Sequence, residues 1–483
     1  VKVHGASFIG TALAQGTTAI LTDSKGAALA ADELAASDAA VIVAQDPRQT
    51  LAQTASLWFG PHPSTVVAVT GTNGKTSVST FARQIWEELQ IAGVNLGTTG
   101  VEGAWSHPLK HTTPEPITLH RVMAEATAEG ITHVAMEASS HGLDQRRLDG
   151  VILAAAAFTN FTQDHLDYHE TFEAYFQAKM GLFTRVLPDD AVAVINLDDP
   201  KGAELAALVR DKGQGLITVG HGAEADLRLL AHRYDATGQD LRLSYQGVIY
   251  QTRLSLIGGF QSENVILAAG LVIAAGSRAG EVVATLPALT GVRGRMQLAA
   301  TRKNGASVFV DYAHTPDAIA TALQALRPHV MGRIVIVFGA GGDRDTTKRP
   351  LMGQAAQNHA DVLFVTDDNP RSEEPEKIID DILAGIKVEN DFQVMLDRKK
   401  AIISGWWWYN AQKQNSLKHK LIFFLHSCFT LSKHDGVPKS SYFYDYLRLL
   451  DFYAYDLKTL AKKITFDNSI LYYLDNNTNN KNN

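Results

Sequence analysis

Residues Val66-Val67-Ala68-Val69 run without a polar break into Thr70-Gly71-Thr72-Asn73-Gly74-Lys75-Thr76-Ser77. A short unbroken apolar run suits a strand buried on both faces, and a helix is expected near 78–89. Strand, glycine turn and helix start, in that order, bring backbone N–H groups to one point where the helix end also favours anions. Lys75 is then expected at the β/γ phosphates of a nucleoside triphosphate and Thr76 at Mg²⁺. Gly71, Thr72, Asn73, Gly74, Lys75, Thr76 and Ser77 form the candidate phosphate loop. Val69 stands where the longer form of the pattern has Gly, so this is the shorter Gly-Thr-Asn-Gly-Lys-Thr version. The bland alternative is a glycine turn that holds no ligand.

The rest of the chain fits an α/β plan. Residues 1–63 alternate Ala-rich helical stretches with short strands expected at 18–21 and Ala40–Val43, and Pro61 and Pro63 then break the chain. Further strands are expected at 133–136, Ala155–Phe158 and 191–195, with helices between, which implies a mostly parallel sheet. Residues 225–256 alternate apolar and polar positions, as half-exposed antiparallel strands do. A helix is expected from Asn264 to about Ala275. A last α/β unit starts near Arg295, with buried strands expected at Ser307–Val310, 334–338 and Val362–Thr366.

Chemistry-bearing residues gather at the expected strand ends, where open α/β sheets bind ligands. Met136-Glu137-Ala138-Ser139-Ser140-His141-Gly142 offers a carboxylate suited to Mg²⁺, with Gln145 and Arg147 close behind for a phosphate or carboxylate; a Ser pair capping a helix is the bland reading. Residues 158–169 hold Asp164, His165, Asp167 and His169, and His165 is a candidate metal ligand. Lys179 lies among apolar residues on a helix expected over 171–183, where composition alone favours a snorkelling surface lysine. Further along come Gly294-Arg295, residues 311–317, the Gly339-Ala340-Gly341-Gly342-Asp343-Arg344 turn and Asp367-Asp368-Asn369-Pro370-Arg371. The glycine turn does not follow G-x-G-x-x-G, which argues against a dinucleotide site.

Composition narrows the classes. A net charge of −7 gives no support for bulk nucleic-acid binding. The single cysteine, Cys428, excludes an internal disulfide or a thiolate zinc site and fits a reducing compartment. No apolar run approaches the ~20 residues of a membrane-spanning helix. No signal-peptide pattern opens the chain.

Taken in order, these motifs resemble the Mur ligases over residues 1 to about 405, and within them the branch that handles diaminopimelate. The resemblance implies an α/β, three-domain Mur ligase architecture. Residues 1–63 would be the remnant of a UDP-binding domain incomplete at its start, 64–293 a central P-loop ATPase domain, and 294–405 a truncated Rossmann-like domain that binds the amino acid. It implies a cytoplasmic, monomeric, ATP- and Mg²⁺-dependent ligase that joins meso-diaminopimelate to UDP-N-acetylmuramoyl-L-alanyl-D-glutamate. Lys75, Lys179 and His165 would be catalytic, with Lys179 carbamylated, and Thr76, Glu137, His165 and Lys179 would hold the metal. Asn264, Arg295 and Asp311 would reach the rest of the nucleotide. Thr112, Thr113, Ser139, Gln145 and Arg147 would contact the UDP-linked substrate, and Arg344, Asp368, Asn369, Pro370 and Arg371 the amino acid. A guanidinium that grips a carboxylate through two hydrogen bonds explains why Arg371 would prefer diaminopimelate to lysine.

Two departures shape the expectation. The family's early Ser-Arg segment has no counterpart, and nothing in 406–483 matches its Gly-Lys-Gly-His-Glu motif. The composition changes abruptly at Trp406-Trp407-Trp408-Tyr409, and the tail ends in an Asn-rich low-complexity run. A joined, shifted or wrongly predicted reading frame near Gly405 is expected, with a lineage-specific extension as the milder reading, and this polypeptide is expected to turn over poorly or not at all. The alternative is a relic that at most binds nucleotide. Folylpolyglutamate synthase or another muramoyl ligase fits less well, given Asp-Asn-Pro-Arg and Glu-Ala-Ser-Ser-His. A binding protein working through its tail is a fourth possibility.

Overall fold

A computed structural model describes residues 3–162, 164, 166–235, 237–301, 307–387, 392–398 and 401–402. His165, the junction at 403–405, Cys428 and the 406–483 tail therefore lie outside the described residues. The chain divides into two compact units: Val1–Ile334 with Arg344–His359, and Val335–Asp343 with Ala360–Asn483.

In the first unit, β1 (Ala19–Thr22) and β2 (Ala40–Val43) pair in parallel. The main sheet then forms from β3 (Thr65–Thr70), β4 (Gly93–Gly97), β5 (Gly100–Gly103), β6 (His133–Glu137), β7 (Ala155–Phe158), β8 (Val192–Asn196), β9 (Gly215–Gly220), β10 (Leu227–Asp235), β11 (Gly238–Tyr245) and β12 (Val248–Leu254). Its spatial order is β12-β11-β10-β9-β8-β7-β3-β6-β4-β5. Strands β4 to β10 along this order run parallel, and antiparallel partners close both edges. The earliest strand, β3, is central; β6 and β4 build outward on one side, β7 and β8 on the other. That reversal makes the carboxyl end of β3 a switch point, where a crevice opens between diverging connections.

Both faces of β3 are covered, which explains its unbroken apolar run. Val66 and Ala68 face a core with Leu119, Met123, Phe158, Phe176 and Leu205. Val67 and Val69 face a second core with Phe81, Trp86, Leu227 and Val265. The alternation is the period-two placement of strand side chains. Several helices start with one local device: an N-cap side chain before a proline in the first turn. Asp46, Glu115, Asp199 and Thr315 cap the helices Pro47–Phe59, Pro116–Ala128, Pro200–Asp211 and Pro316–Leu326 in this way.

A hairpin-like pair, β13 (Gln297–Thr301) and β14 (Ser307–Val310), stands apart from the main sheet. The expectation of a buried Ser307–Val310 strand is corrected: Ser307, Val308 and Val310 are exposed. Among the described residues this strand pairs only with β13, so no layered sheet surrounds it. Two helices also differ from expectation. The helix expected from Asn264 begins at Gly259 and runs to Ala274, because Gly258 at φ 101° turns the chain into it early. The helix expected over 171–183 is α-helical over Phe172–Gly181 and continues as a π turn over Leu182–Val186.

In the second unit, β15 (Val335–Phe338), β16 (Val362–Thr366) and β17 (Phe392–Met395) form a parallel sheet with β16 central and fully buried.

Trp86 is fully buried in the second core beneath the main sheet. Trp86→Ala is expected to cost about 3–5 kcal/mol, read from the urea midpoint. A loss below about 1 kcal/mol would show that this face of the sheet tolerates a void.

Candidate active site

The phosphate loop follows β3 directly. Gly71 adopts φ 144° and a Cβ there would collide with Thr159 Oγ1, so only glycine fits. Gly74, at φ 88°, caps the Lys75–Glu88 helix. The first half of the loop is fastened to the chain leaving β7. The Thr72 N–H donates to the Asn160 carbonyl at 2.8 Å and the Asn73 N–H to Asn160 Oδ1 at 2.9 Å. Thr72 Oγ1 donates to the Thr162 carbonyl at 3.1 Å and accepts the Thr162 N–H at 3.0 Å. Thr159 Oγ1 donates to the Asn73 carbonyl at 2.6 Å. Asp199 accepts the Phe161 N–H at 2.7 Å and steadies the same segment. Thr72 and Asn73 are thus occupied within the protein. The N–H groups from Gly74 to Ser77, at the start of the helix, have no intrahelical partner, and they remain for an anion.

Two lysines meet at the turn. Lys75 Nζ donates to the carbonyls of Gly71 at 2.9 Å and Thr72 at 2.8 Å. Lys179 Nζ donates to the same Gly71 carbonyl at 2.6 Å and lies over the Tyr175 ring, 4.5 Å from its centroid. The surface-lysine reading of Lys179 is corrected: it is 1% exposed. Its helix packs Tyr175, Phe176 and Met180 inward, and the side chain follows them. Burial lowers the pKa of Lys75. Burial and, after it, the charge of Lys75 push Lys179 well below the usual lysine range.

Opposite stands Glu137, the last residue of β6 and 1% exposed. Its Oε2 accepts from Thr76 Oγ1 at 3.1 Å and Thr98 Oγ1 at 3.3 Å, and its Oε1 from the Thr98 N–H at 2.8 Å. A Cβ on Gly97 would occupy the carboxylate's place. Carboxylate and hydroxyl oxygens are the donors Mg²⁺ prefers, with phosphate and water completing its shell. Among the described residues no group of three or more His, Cys, Asp or Glu is gathered as a metal site. Arg295 Nη2 also donates to Thr76 Oγ1 at 3.2 Å, and its guanidinium lies over Tyr312. Asp311 holds the turn after β14 by accepting the Met296 N–H at 2.7 Å and the Ala313 N–H at 2.8 Å. Asn264 lies beside the loop: its Oδ1 would meet a Cβ on Gly74 at 2.5 Å, and its Nδ2 donates to Gln261 at 3.3 Å.

A polar arm runs from Glu137 across the next turn. Thr113 Oγ1 donates to the Glu137 carbonyl at 2.8 Å and accepts the Ser139 N–H at 3.0 Å. Ser139 also caps the Ser140–Asp144 helix, accepting from Gly142 at 3.1 Å, so the capping reading holds for it. Thr112 bonds Thr98 at 3.0 Å, hydroxyl to hydroxyl. Arg147 donates through Nη1 to the Thr113 carbonyl at 2.6 Å and through Nη2 to Gln145 Oε1 at 2.7 Å. Tyr168 joins this arm, and the sequence reading missed it; its only signal was an aromatic residue inside the acidic and histidine-rich stretch.

In the second unit, Arg371 takes φ 50° and donates to the Gly342 carbonyl, while the Asn369 carbonyl accepts the Gly342 N–H at 2.9 Å. Asp368 pairs with Arg398 at 3.2 Å, a partner the sequence reading did not find. Pro370 is half-buried. Arg344 belongs to the first unit and is exposed.

The chain is similar to known proteins over most of its length. Residues 69–272 match the Mur ligase middle domain, and residues 294–407 match the Mur ligase, glutamate ligase domain. The UDP-N-acetylmuramoyl-L-alanyl-D-glutamate--2,6-diaminopimelate ligase of Chelativorans sp. (strain BNC1) is 47% identical over 364 residues, which is 75% of this chain and 74% of the relative. The protein so named in Rhizobium meliloti (strain 1021) is 45% identical over 403 residues, 83% of this chain and 80% of the relative. A solved structure of a UDP-N-acetylmuramoyl-L-alanyl-D-glutamate--2,6-diaminopimelate ligase superimposes with a TM-score of 0.59 at 32% identity, covering 82% of this chain and 84% of that one. Folylpolyglutamate synthase of Mycobacterium tuberculosis, complexed with ADP, shares the fold with a TM-score of 0.61 at 20% identity, over 75% of this chain and 87% of that one. No helix among the described residues is long and apolar enough to cross a membrane. With two domain matches in order and relatives at this identity over most of their length, the chain belongs to the Mur ligase family.

Proposed function

We propose that this protein is an ATP-dependent ligase that adds meso-diaminopimelate to UDP-N-acetylmuramoyl-L-alanyl-D-glutamate. The observation that carries the reading is the meeting of Lys75, Lys179, Thr76 and Glu137 at the carboxyl ends of β3 and β6, together with relatives that bear this ligase's name. The substrate's free carboxylate attacks the γ-phosphorus and ADP leaves. The amine of the incoming amino acid then attacks the acyl carbon, loses a proton, and inorganic phosphate departs. Negative charge builds between the γ-phosphate and the carboxylate, and fixed cations and N–H donors are what lower that barrier.

The N–H groups of residues 74–77 and the Lys75 ammonium cradle the phosphates. Thr76 and Glu137 would hold Mg²⁺, with His165 and a modified Lys179 as further ligands, and the ion would neutralise phosphate charge. The depressed pKa of Lys179 supports the modification. A neutral amine adds to carbon dioxide, forming an N–C bond and releasing one proton, which yields a carbamate anion beside the Lys75 cation. Arg295 steadies Thr76, and Asn264 and Asp311 serve the rest of the nucleotide. Thr112, Thr113, Ser139, Gln145 and Arg147 receive the UDP-linked substrate. Residues 64–293 supply nucleotide chemistry and 294–405 amino-acid recognition, the latter through Arg344, Asp368, Asn369, Pro370 and Arg371.

Phosphate release should require ATP, the UDP-linked dipeptide and diaminopimelate, with neither lysine nor glutamate substituting. A second reading, nucleotide binding without turnover, is favoured by the lack of Gly-Lys-Gly-His-Glu in 406–483; ATP binding with no phosphate released would select it. Lys75→Ala should lower kcat by about 10²-fold or more; an unchanged rate would remove the loop from the chemistry.

Equilibration with ¹³C-bicarbonate should give a carbamate carbon resonance that Lys179→Ala abolishes. Lowering the pH should erase the signal, because protonation of the amine drives carbon dioxide loss, and the low pKa of Lys179 means it survives to more acid pH than a surface lysine's would. A signal unchanged by Lys179→Ala rules the modification out.

A further inference from the structure

Tyr168 has no part in the reaction described above, yet it occupies a defined place in the polar arm. It is half-buried, and its ring lies against His141 with centroids 4.1 Å apart. Its hydroxyl donates to Asp144 Oδ2 at 2.8 Å and accepts from Gln145 Nε2 at 3.0 Å. A carboxylate can only accept, so the phenolic proton points to Asp144 and a lone pair is left for the Gln145 amide. This fixes which end of that amide faces which way. The Gln145 oxygen turns to Arg147 and accepts from its Nε at 3.2 Å and its Nη2 at 2.7 Å. Arg147 Nη1 reaches the Thr113 carbonyl at 2.6 Å. Were the amide reversed, its NH2 would confront a guanidinium that has no acceptor to offer, and the Tyr168 oxygen would meet a carbonyl. Donors and acceptors in such a chain also polarise one another along its length. Asp144, Tyr168, Gln145 and Arg147 therefore have a single consistent arrangement.

We propose that Tyr168 is a positioning residue for the acidic acyl substrate: through Asp144 and Gln145 it holds the Arg147 guanidinium in the orientation that receives the substrate's anionic group. The ligand's identity rests on the ligase reading above. Tyr168 lies only a few residues beyond Asp164 in the segment that follows β7, the same segment that fastens the phosphate loop through Asn160 and Thr162. The Tyr168 hydroxyl thus ties that segment to the substrate arm.

Tyr168→Phe deletes that hydroxyl while keeping the ring against His141. Asp144→Asn keeps the volume but lets the phenol proton turn either way. Calorimetry on the full chain, titrated separately with UDP-N-acetylmuramoyl-L-alanyl-D-glutamate and with Mg-ADP, should show each variant weakening the dipeptide by about three- to tenfold. Mg-ADP affinity should be unchanged, a selectivity that general loosening of the fold would not give. In an Arg147→Ala background, Tyr168→Phe should add no further loss, because its effect acts through that guanidinium. Wild-type dipeptide affinity in Tyr168→Phe overturns the proposal and leaves the ligase reading standing; so does equal weakening of both ligands. Failure of the unmutated chain to bind the dipeptide while it binds Mg-ADP sinks the ligase reading and this proposal together.

Discussion

The Gly71 carbonyl accepts hydrogen bonds from the half-buried Lys75 and the buried Lys179, and the site is organised around that shared oxygen. Two like charges that share one acceptor repel each other, and the charge of Lys75 lowers the pKa of Lys179 beyond what burial alone does. One neutral acceptor cannot offset that. The strain has two outlets, and they are complementary. Lys179 can lose its proton, as its low pKa indicates. Lys75 can turn to a polyanion arriving at the neighbouring helix start, where unpaired N–H groups already favour negative charge. The two lysines are thus coupled through one backbone oxygen, so that a change in the charge of either is felt by the other.

What makes such crowding possible is the sheet. β3 is buried on both faces and flanked by β6 and β7, so its carboxyl end is held by register rather than by side chains. Glu137 arrives from β6 and Thr159–Asn160 leave β7 at the same level, which brings an acid and a fastening loop to opposite flanks of the turn. Gly71 and Gly97 leave room for the side chains that close over them. A side chain at either position would push Thr159 or Glu137 aside, so two glycines far apart in sequence protect one arrangement.

Much of this was legible beforehand. The apolar run of β3, the acid at the end of β6 and the alternation in β10 to β12 all appear as local patterns, and local patterns survive translation into structure. The α/β class and the position of the phosphate loop followed from them. Burial of Lys179 was not legible, because a lysine between apolar residues on a helix reads as amphipathic until the opposing strand is known. Nor could the sequence show that Thr72 and Asn73 are consumed by Asn160 and Thr162, since those partners lie across the sheet. β14 misled for the converse reason: its residues look like a core strand, but among the described residues only β13 pairs with it. The links from Tyr168 to Gln145 and from Arg398 to Asp368 depend on tertiary approach and leave no periodic trace.

The division between fastened and unfastened groups says more about a ligand than the motif does. Thr113 and Ser139 spend their hydroxyls on the Glu137 carbonyl and a helix cap, and Thr72 spends both its hydroxyl and its N–H on the segment after β7. Such groups fix the shape that a ligand meets. The groups left over are the N–H donors at the start of the Lys75–Glu88 helix, two amines crowded on one carbonyl, and a carboxylate whose partners are hydroxyls and one N–H. Donors and positive charge on one side, with oxygen donors for a divalent cation on the other, suit a phosphate chain carrying its counter-ion. The arm from Glu137 to Arg147 runs from this cluster to a guanidinium, a second group chemically suited to an anion.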